Sequence, residues 1–268
     1  MIEINKIYCE DNVAFMRGNL DTESIDLTVT SPPYDNLRTY NGYSFDFEGV
    51  ANQLYRVTKT GGVVVWVVGD STINGSESGT SFRQALYFKE IGFNLHDTMI
   101  YQKQNYVPLT HNRYEQAFEY MFVFSKGKPK TFNPLLVSTK RSGEKKNPYK
   151  TCESQTQDSS MRHREKAYII NKTKIKSNIF IYGVGKNMSS KDPLAFKHPA
   201  IFPESLARDH ILSWSNPGDI VLDPFSGSGT TPVVAYQNQR QYIGIDISQE
   251  YCDIANQRLK QTSLFSHI

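Results

Sequence analysis

The 268 residues are 38% hydrophobic and 21% charged, with a formal net charge of +3. This composition is typical of a globular protein with a full core, built as one domain with an insertion or as two small domains. No apolar run approaches the roughly 20 residues that cross a bilayer, and the acidic start Met1–Ile4 is unlike a signal peptide. Three scattered cysteines have neither disulfide nor metal-ligand spacing. We therefore expect a cytoplasmic protein without a membrane segment or a metal site.

The first 125 residues predict alternating strands and helices. Apolar spacing predicts strands at 3–8, 25–30, 63–68, 95–102 and 117–124, and helices at 12–17, 47–57 and 81–91. Gly61 and Gly62 are expected to end the second helix. The run 63–68 is apolar throughout, which favours a strand buried on both faces of a parallel sheet. The strands at 95–102 and 117–124 are expected to form an antiparallel pair.

The strand at 25–30 ends abruptly at Ser31-Pro32-Pro33-Tyr34, because two prolines cannot continue a ladder. Carbonyls beside proline lack ladder partners and point outward as acceptors, Ser31 adds a hydroxyl, and Tyr34 adds a ring for stacking. Together they suit a flat molecule that carries an NH2 group, such as a nucleobase. Accepting both amine hydrogens favours the tetrahedral nitrogen that forms when this poor nucleophile reacts.

Residues 126–197 differ in character from the rest of the chain. They hold 17 Lys and Arg against 5 Asp and Glu, a local charge of +12 that leaves −9 on the remainder. Such an asymmetry predicts a polyanionic partner, although a solvated basic loop would have the same composition. We interpret this segment as an inserted subdomain that binds nucleic acid.

The last 70 residues predict a helix from Pro203, a strand at 220–223, a helix at 231–237, a strand at 242–246 and a helix at 248–259. The strand at 220–223 enters a turn whose glycines, Gly227 and Gly229, let the backbone approach a ligand closely. Asp246 follows Gly227 by 19 residues, a spacing that suits an acid accepting from ribose hydroxyls. The pattern favours an adenosine-type cofactor. Pro232 stands where a dinucleotide fingerprint needs glycine, which disfavours a nicotinamide enzyme.

Alternating strands and helices predict an α/β fold with a mostly parallel sheet. Ligands of such sheets bind outside the carboxyl ends of strands, where the strand order reverses. If the strands at 25–30 and 220–223 are neighbours, the proline tip and the glycine turn belong to one site.

These two motifs, Thr30-Ser-Pro-Pro-Tyr34 and Asp223-Pro-Phe-Ser-Gly-Ser-Gly-Thr230, closely resemble the paired signatures of the amino-group DNA methyltransferases. Their order, with the catalytic motif first, is similar to the β group of that family. Weaker resemblances cover Cys9–Asn12, Asn112–Phe124 and His198–Pro203. The resemblance implies a circularly permuted seven-stranded Rossmann-like methyltransferase sheet with an inserted target-recognition region, the catalytic half at 1–125, the insertion at 126–197 and the cofactor-binding half at 198–268.

The resemblance also implies S-adenosylmethionine as cofactor, double-stranded DNA as substrate, a flipped target base and a possible partner restriction endonuclease, in a monomer or homodimer. The implied catalytic residues are Ser31, Pro32, Pro33 and Tyr34. The implied cofactor-binding residues are Asp11, His198, Asp223, Pro224, Phe225, Gly227, Gly229, Thr230 and Asp246. The candidate DNA contacts are Arg113, Lys140, Arg141, Lys145, Lys146, Arg162 and Arg164. Asp11 could instead cap the helix at Asn12, and His198 could be structural.

Ser31 at the first position of the proline motif favours N4 of cytosine, with N6 of adenine as the alternative, since both amines have similar geometry. Methylation at C5 is disfavoured because no cysteine sits in a suitable strand-end turn. An RNA or protein amine acceptor is disfavoured by the motif order and the basic insertion. A DNA-binding module that has lost catalysis is the remaining alternative, and both intact motifs disfavour it.

Overall fold

The computed structural model describes residues 2–33, 45–106, 112–147, 149–152, 161–164 and 167–265. The chain forms two compact units, Met1–Asn133 with Asn178–Ile268, and Pro134–Ser177. Nowhere in the described ranges is a helix both long and apolar enough to cross a bilayer.

The strands and helices follow in chain order. The strands are β1 (Lys6–Cys9), β2 (Ile25–Thr30), β3 (Thr58–Val68), β4 (Thr72–Ile73), β5 (Ser76–Glu77), β6 (Asn94–Lys103), β7 (Phe118–Ser125), β8 (Leu136–Ser138), β9 (Lys145–Lys146), β10 (Tyr149–Cys152), β11 (Met161–Arg164), β12 (Tyr168–Ile169), β13 (Thr173–Ile175), β14 (Ile179–Tyr182), β15 (Ile220–Asp223) and β16 (Gln241–Asp246). The helices are α1 (Asn12–Asn19), α2 (Phe47–Val57), α3 (Thr80–Glu90), α4 (Glu204–Trp214), α5 (Thr230–Gln237) and α6 (Gln249–Phe265), with a 3-10 helix at Pro193–Lys197.

The larger unit is built on one sheet with the strand order β1-β16-β15-β2-β3-β7-β6-β14. Every neighbouring pair is parallel except those made by β7, which runs antiparallel to both β3 and β6. The predicted α/β class and the predicted antiparallel pair are therefore confirmed. The edge strand β14 was not predicted, because its four residues lie inside the basic segment.

Strand β2 pairs directly with β15, with Leu27 opposite Val221 and Thr28 opposite Leu222. These strands are nearly two hundred residues apart in the chain, and their adjacency confirms the prediction that the proline tip and the glycine turn are neighbours. Both strands end at the same edge of the sheet because they are parallel.

The central strands are buried because helices cover both faces of the sheet. In β3, every residue from Gly61 to Val68 is buried. Trp66 donates its indole N–H to Gln84 Oε1 at 2.9 Å, which satisfies a polar group inside the core. Helix α2 begins at an Asp46 side chain that accepts from Gly49 N and buries Val50, Ala51, Leu54 and Val57.

Gly61 and Gly62 do not end α2 as predicted. The helix ends at Val57, and the glycines lie inside β3. Gly61 N donates to Lys126 O at 2.7 Å, and Lys126 N donates to Gly62 O at 3.1 Å. The two glycines therefore extend the pairing of β3 beyond the end of β7.

A buried hydrogen bond joins the tips of β2 and β15. Thr30 Oγ1 donates to Asp223 Oδ1 at 2.6 Å, and the same carboxylate oxygen accepts from Phe225 N at 3.1 Å. Asp223 is only 1% exposed. Burial raises the pKa of Asp223 to about 6, with the hydrogen bonds from Thr30 and Phe225 N opposing the shift.

Arg258 on α6 is a buried cation that connects three segments. It is 1% exposed and donates to Asp192 Oδ2 at 2.8 Å, Glu204 Oε1 at 2.6 Å and Ser228 O at 2.6 Å. The guanidinium therefore holds the glycine turn against the 3-10 helix and α4. Because a buried charge needs several partners, these contacts define where the turn lies.

The smaller unit consists of nested antiparallel pairs. Strand β8 pairs with β13, β9 with β12, and β10 with β11. The unit carries 11 Lys and Arg against 4 Asp and Glu. The segment predicted as an insertion, 126–197, is longer than this unit, since β14 belongs to the main sheet.

Replacing Arg258 by Met should destabilise the fold by about 3 kcal/mol, because two carboxylates and the Ser228 carbonyl lose a buried partner. Urea unfolding followed by circular dichroism measures the loss. Lys260→Met on the exposed face of the same helix is the control and should change stability by less than about 0.5 kcal/mol. Equal unfolding midpoints for Arg258→Met and the wild type would show that Arg258 does not hold the turn.

The raised pKa of Asp223 predicts a pH dependence of stability. The folded protein holds this proton to a higher pH than the unfolded chain, so its stability falls as the pH rises from about 4 to about 6. Asp223→Asn has no such proton. Its free energy of unfolding relative to the wild type should therefore increase by about 3 kcal/mol between pH 4 and pH 7. A difference that is the same at both pH values would contradict the burial of an ionised carboxylate.

Candidate functional site

A cavity of about 820 Å³ lies at the carboxyl ends of β16, β15, β2 and β3 and continues to the ends of β6 and β7. One side of it is formed by the turn after β15, by Asp246 at the end of β16 and by Ser248. The other side is formed by the proline tip after β2, Gly69 and Asp70 after β3, and residues of β6 and β7. The strand order therefore brings both predicted motifs to one cavity.

The glycine turn runs from Pro224 to Gly229 and leads into α5. Gly229 adopts a φ of +79° at the N-cap of α5, and a Cβ there would lie 2.8 Å from Ala255 Cβ on α6. Gly227 has a φ of +49°, and a Cβ there would lie 3.1 Å from His198 Nε2. Glycine is therefore needed twice, once for helix packing and once for the approach of His198. Pro224, Phe225, Gly227 and Thr230 line the cavity.

Asp246 is held at the end of β16 by backbone donors. Its Oδ2 accepts from Gly227 N at 2.8 Å, and its Oδ1 accepts from Ser248 N at 2.9 Å. Burial raises the pKa of Asp246, and these backbone hydrogen bonds oppose the shift. Each carboxylate oxygen has a further lone pair, so a side chain that lines the cavity can also accept from a ligand hydroxyl.

Asp11 and Asn12 bring the start of α1 to the same cavity. Asp11 Oδ1 accepts from Ala14 N at 2.8 Å, so the residue caps the helix, and it also lines the cavity. Asn12 donates to Pro224 O at 2.9 Å. The capping and cofactor interpretations of Asp11 are compatible, because the cap uses one carboxylate oxygen.

His198 packs against the aromatic ring of Tyr251 with 4.3 Å between ring centroids, and its Nδ1 accepts from Ala200 N at 3.1 Å. Both residues line the cavity beside Gly227. Asp223 and Gly229, by contrast, are not part of the cavity wall; their contacts support the turn from behind.

The proline tip supplies Ser31, Pro32 and Pro33 to the cavity wall. Pro32 is buried, and Ser31 and Pro33 are half-buried. Phe225 of the glycine turn lies close by: its ring meets those of Phe45 at 5.3 Å and Trp66 at 6.2 Å between centroids. Tyr34, predicted to stack on the base, lies outside the described residues.

The far wall of the cavity is polar and comes from β6 and β7. Lys103 Nζ lies 2.8 Å from Glu119 Oε1, and Tyr101 lies opposite Glu119 in the register of the two strands. Tyr101 is 2% exposed, and its hydroxyl has no hydrogen-bond partner among the described residues. All three line the cavity.

The predicted DNA contacts lie elsewhere in the chain. Arg113 donates to Gly75 O and lies 3.9 Å from Glu77 Oε1. In the smaller unit, Lys140, Arg141, Lys145 and Lys146 are exposed, and Arg141 pairs with Glu144 at 2.5 Å. Arg162 and Arg164 lie on β11, opposite Thr151 and Tyr149 of β10. Arg113, in the larger unit, is not among the described residues that line the cavity.

Several residues of the site were missed in the sequence. Asn12 lies in the resemblance at Cys9–Asn12 but was not named as a site residue, and Tyr251 occupies an ordinary helical position that nothing marked out. The sequence did contain a signal for Tyr101 and Lys103. They lie two residues apart, and so on the same face, of a strand expected to lie beside 117–124. Arg258 lies among the buried Cys252, Ala255 and Leu259 of α6, and a cation on such an apolar face is the signal that was available.

The sequence matches the N6/N4 DNA methylase family model over residues 25–257. One relative is the orphan methyltransferase M.BamHII of Bacillus amyloliquefaciens, 59% identical over 250 residues that cover 91% of this chain and 92% of that protein. Both findings bear on almost the whole chain.

Two solved structures share the fold. The PvuII DNA methyltransferase (cytosine-N4-specific) aligns with a TM-score of 0.68 and 19% identity, over 97% of this chain and 90% of its own. The M1.HpyAVI–SAM complex aligns with a TM-score of 0.60 and 24% identity, over 95% of this chain and 99% of its own. The family match, the 59% identical relative and the shared fold agree, and the chain belongs to the N6/N4 DNA methylase family, the DNA methyltransferases that use S-adenosylmethionine to methylate an exocyclic base amine.

Proposed function

We propose that this protein transfers a methyl group from S-adenosylmethionine to N4 of a flipped cytosine in double-stranded DNA. The single observation that carries the proposal is the shared cavity: the Ser31-Pro32-Pro33 tip and the Pro224–Thr230 turn line it from neighbouring strands. Cytosine is favoured by Ser31, through the resemblance to family members with serine at this position.

The turn side of the cavity fits the cofactor. Gly227 lines the cavity without a side chain, and Asp246 lines it with acceptor capacity for ribose hydroxyls. Ser226 Oγ is buried in the cavity wall without a hydrogen-bond partner among the described residues, which is expected of a group that awaits a ligand. S-adenosylmethionine, when bound, supplies an electrophilic methyl group. In this proposal Asp11, His198 and Phe225 complete its binding surface.

The proline side performs the acceptor chemistry. The Ser31 hydroxyl oxygen and the Pro32 carbonyl each accept a hydrogen bond from the amine. These hydrogen bonds localise the lone pair on the nitrogen, which makes the amine a better nucleophile. Tyr34 stacks on the base in this proposal and fixes its plane. Pro32 has a fixed φ and no N–H to donate to a neighbouring strand. Its carbonyl is therefore oriented toward the base before the base binds.

The smaller unit provides the contact with DNA. Its exposed Lys140, Lys145 and Lys146 suit phosphate contacts, whose contribution is salt-dependent and largely independent of sequence. Arg141, Arg162 and Arg164 of the smaller unit, and Arg113 of the larger unit, are the other proposed DNA contacts. The enzyme acts in the cytoplasm in this proposal. A partner endonuclease, the oligomeric state and the circular permutation of the strand order stay predictions.

Adenine N6 is the second candidate, because the family model covers both N6 and N4 enzymes. The proline tip accepts the amine of either base. The two candidates differ in the rest of the base edge, where cytosine carries a carbonyl and adenine a C–H.

The cofactor role of Asp11 can be separated from its capping role by Asp11→Asn. Asparagine caps helices as well as aspartate does, so stability should change by less than about 1 kcal/mol. Losing a charged acceptor should weaken S-adenosylmethionine binding about tenfold in calorimetry. The exposed Asp21→Asn removes the same charge away from the cavity and should bind like the wild type. Unchanged affinity in Asp11→Asn would leave Asp11 with the cap alone.

The base assignment is tested by expressing the protein in a methylation-free host and digesting its DNA to nucleosides. We expect N4-methylcytosine, at one sequence motif that long-read sequencing of the same DNA identifies. Ser31→Ala should lower the modified fraction, since one acceptor of the amine is lost. N6-methyladenine as the product would overturn the cytosine assignment, and DNA without either base would overturn the proposed activity.

A further inference from the structure

The cavity is longer than a cofactor site requires. In the strand order β2-β3-β7-β6, three steps separate the proline tip from Tyr101. Neighbouring strands lie about 4.8 Å apart, so the two walls are roughly 14 Å apart at the backbone. A planar base with a hydrogen bond at each end of its edge fits between side chains that extend into this span.

Tyr101 presents a polar atom that the fold itself does not use. Its ring is fixed by packing against Tyr182, with 5.7 Å between centroids, whereas its hydroxyl has no partner among the described residues. A buried hydroxyl without a hydrogen bond costs free energy. The side chain is 2% exposed and lines the cavity, so a ligand group in the cavity can complete its hydrogen bonding.

The hydroxyl keeps its proton at ordinary pH and can donate it in a hydrogen bond to such a ligand. Burial raises the pKa of Tyr101, and the nearby charge of Glu119 raises it further, so the proton stays on the oxygen. Lys103 pairs with Glu119 beside the ring and keeps the carboxylate occupied. The Tyr101 hydroxyl can therefore donate a hydrogen bond to an acceptor atom of a ligand in the cavity.

We propose that the Tyr101 hydroxyl donates a hydrogen bond to O2 of the flipped cytosine. The inference rests on the proposed function, in which the amine N4 lies at Ser31. On the Watson–Crick edge of cytosine, O2 is the acceptor farthest from N4, and it points to the wall opposite the proline tip. Adenine has a C–H at the equivalent position and gives Tyr101 no acceptor. Tyr101 is therefore a specificity residue that favours cytosine over adenine.

The test compares Tyr101→Phe with the wild type on duplexes that carry the mapped recognition site. Because the lost hydroxyl has no hydrogen-bond partner in the part of the chain that the structure describes, the variant should melt at the same temperature as the wild type or higher. It should bind S-adenosylmethionine unchanged and lose at least about tenfold in kcat/KM for cytosine methylation. Tyr182→Phe is the matched control. Its hydroxyl donates to Asp209 at 2.8 Å and does not line the cavity, so it should lose stability and keep its preference for the base.

A second substrate identifies the atom that Tyr101 contacts. In a duplex with 2-thiocytosine at the target, a weaker acceptor replaces O2. The wild type should lose about as much rate on this duplex as the variant loses on cytosine, and the variant should be nearly insensitive to the change. A variant that is as sensitive as the wild type, one within twofold of wild-type activity, or one with a lower melting temperature overturns the inference. If the wild-type protein produces N6-methyladenine, the proposed function itself is overturned. That result needs only the wild-type protein, so it can be told apart from a failure of the inference about Tyr101.

Discussion

The pairing of β2 with β15 is the constraint on which the site depends. It joins segments that lie nearly two hundred residues apart in the chain and ends both strands at one edge of the sheet. The buried Thr30–Asp223 hydrogen bond closes the pair at that edge. Thr30 is followed by Ser31 and Asp223 by Pro224, so the proline tip and the glycine turn both begin at this hydrogen-bonded pair. The glycine turn and the proline tip therefore lie on neighbouring strands of one sheet.

The contacts behind the turn explain why it keeps its shape before a ligand binds. Arg258 holds the Ser228 carbonyl, Asp246 holds the Gly227 N–H, and Asn12 holds the Pro224 carbonyl. Each contact comes from a different segment, and each occupies one backbone group of the turn. The preorganised surface reduces the ordering that binding would otherwise require.

Much of this architecture could be predicted, for reasons that particular residues illustrate. Strands β2 and β15 consist mainly of β-branched and apolar residues, and each ends close to a proline, which cannot continue the pairing. The bounds of both strands were therefore predictable. Residues 179–182 were missed because a short strand in a basic segment has no periodic context. The contacts of Arg258 could not be predicted, because its partners lie 30 to 66 residues away in the chain. The strand position of Tyr101 could be predicted, but its place in the cavity wall depends on how distant strands pair. The roles of Asp11 and His198 were open because a carboxylate before a helix suits either a cap or a ligand, and a histidine can be structural or a ligand contact.

In the proposed reaction, the methyl donor and the target base meet between the β2 and β15 tips. The decisive experiment is a crystal structure with a non-reactive S-adenosylmethionine analogue and a duplex that carries the target site. We predict the analogue's ribose beside Asp246 and the extruded base between Ser31 and Tyr101, with its amine toward Ser31. An analogue seated away from the glycine turn, or a base bound outside this cavity, would contradict the account.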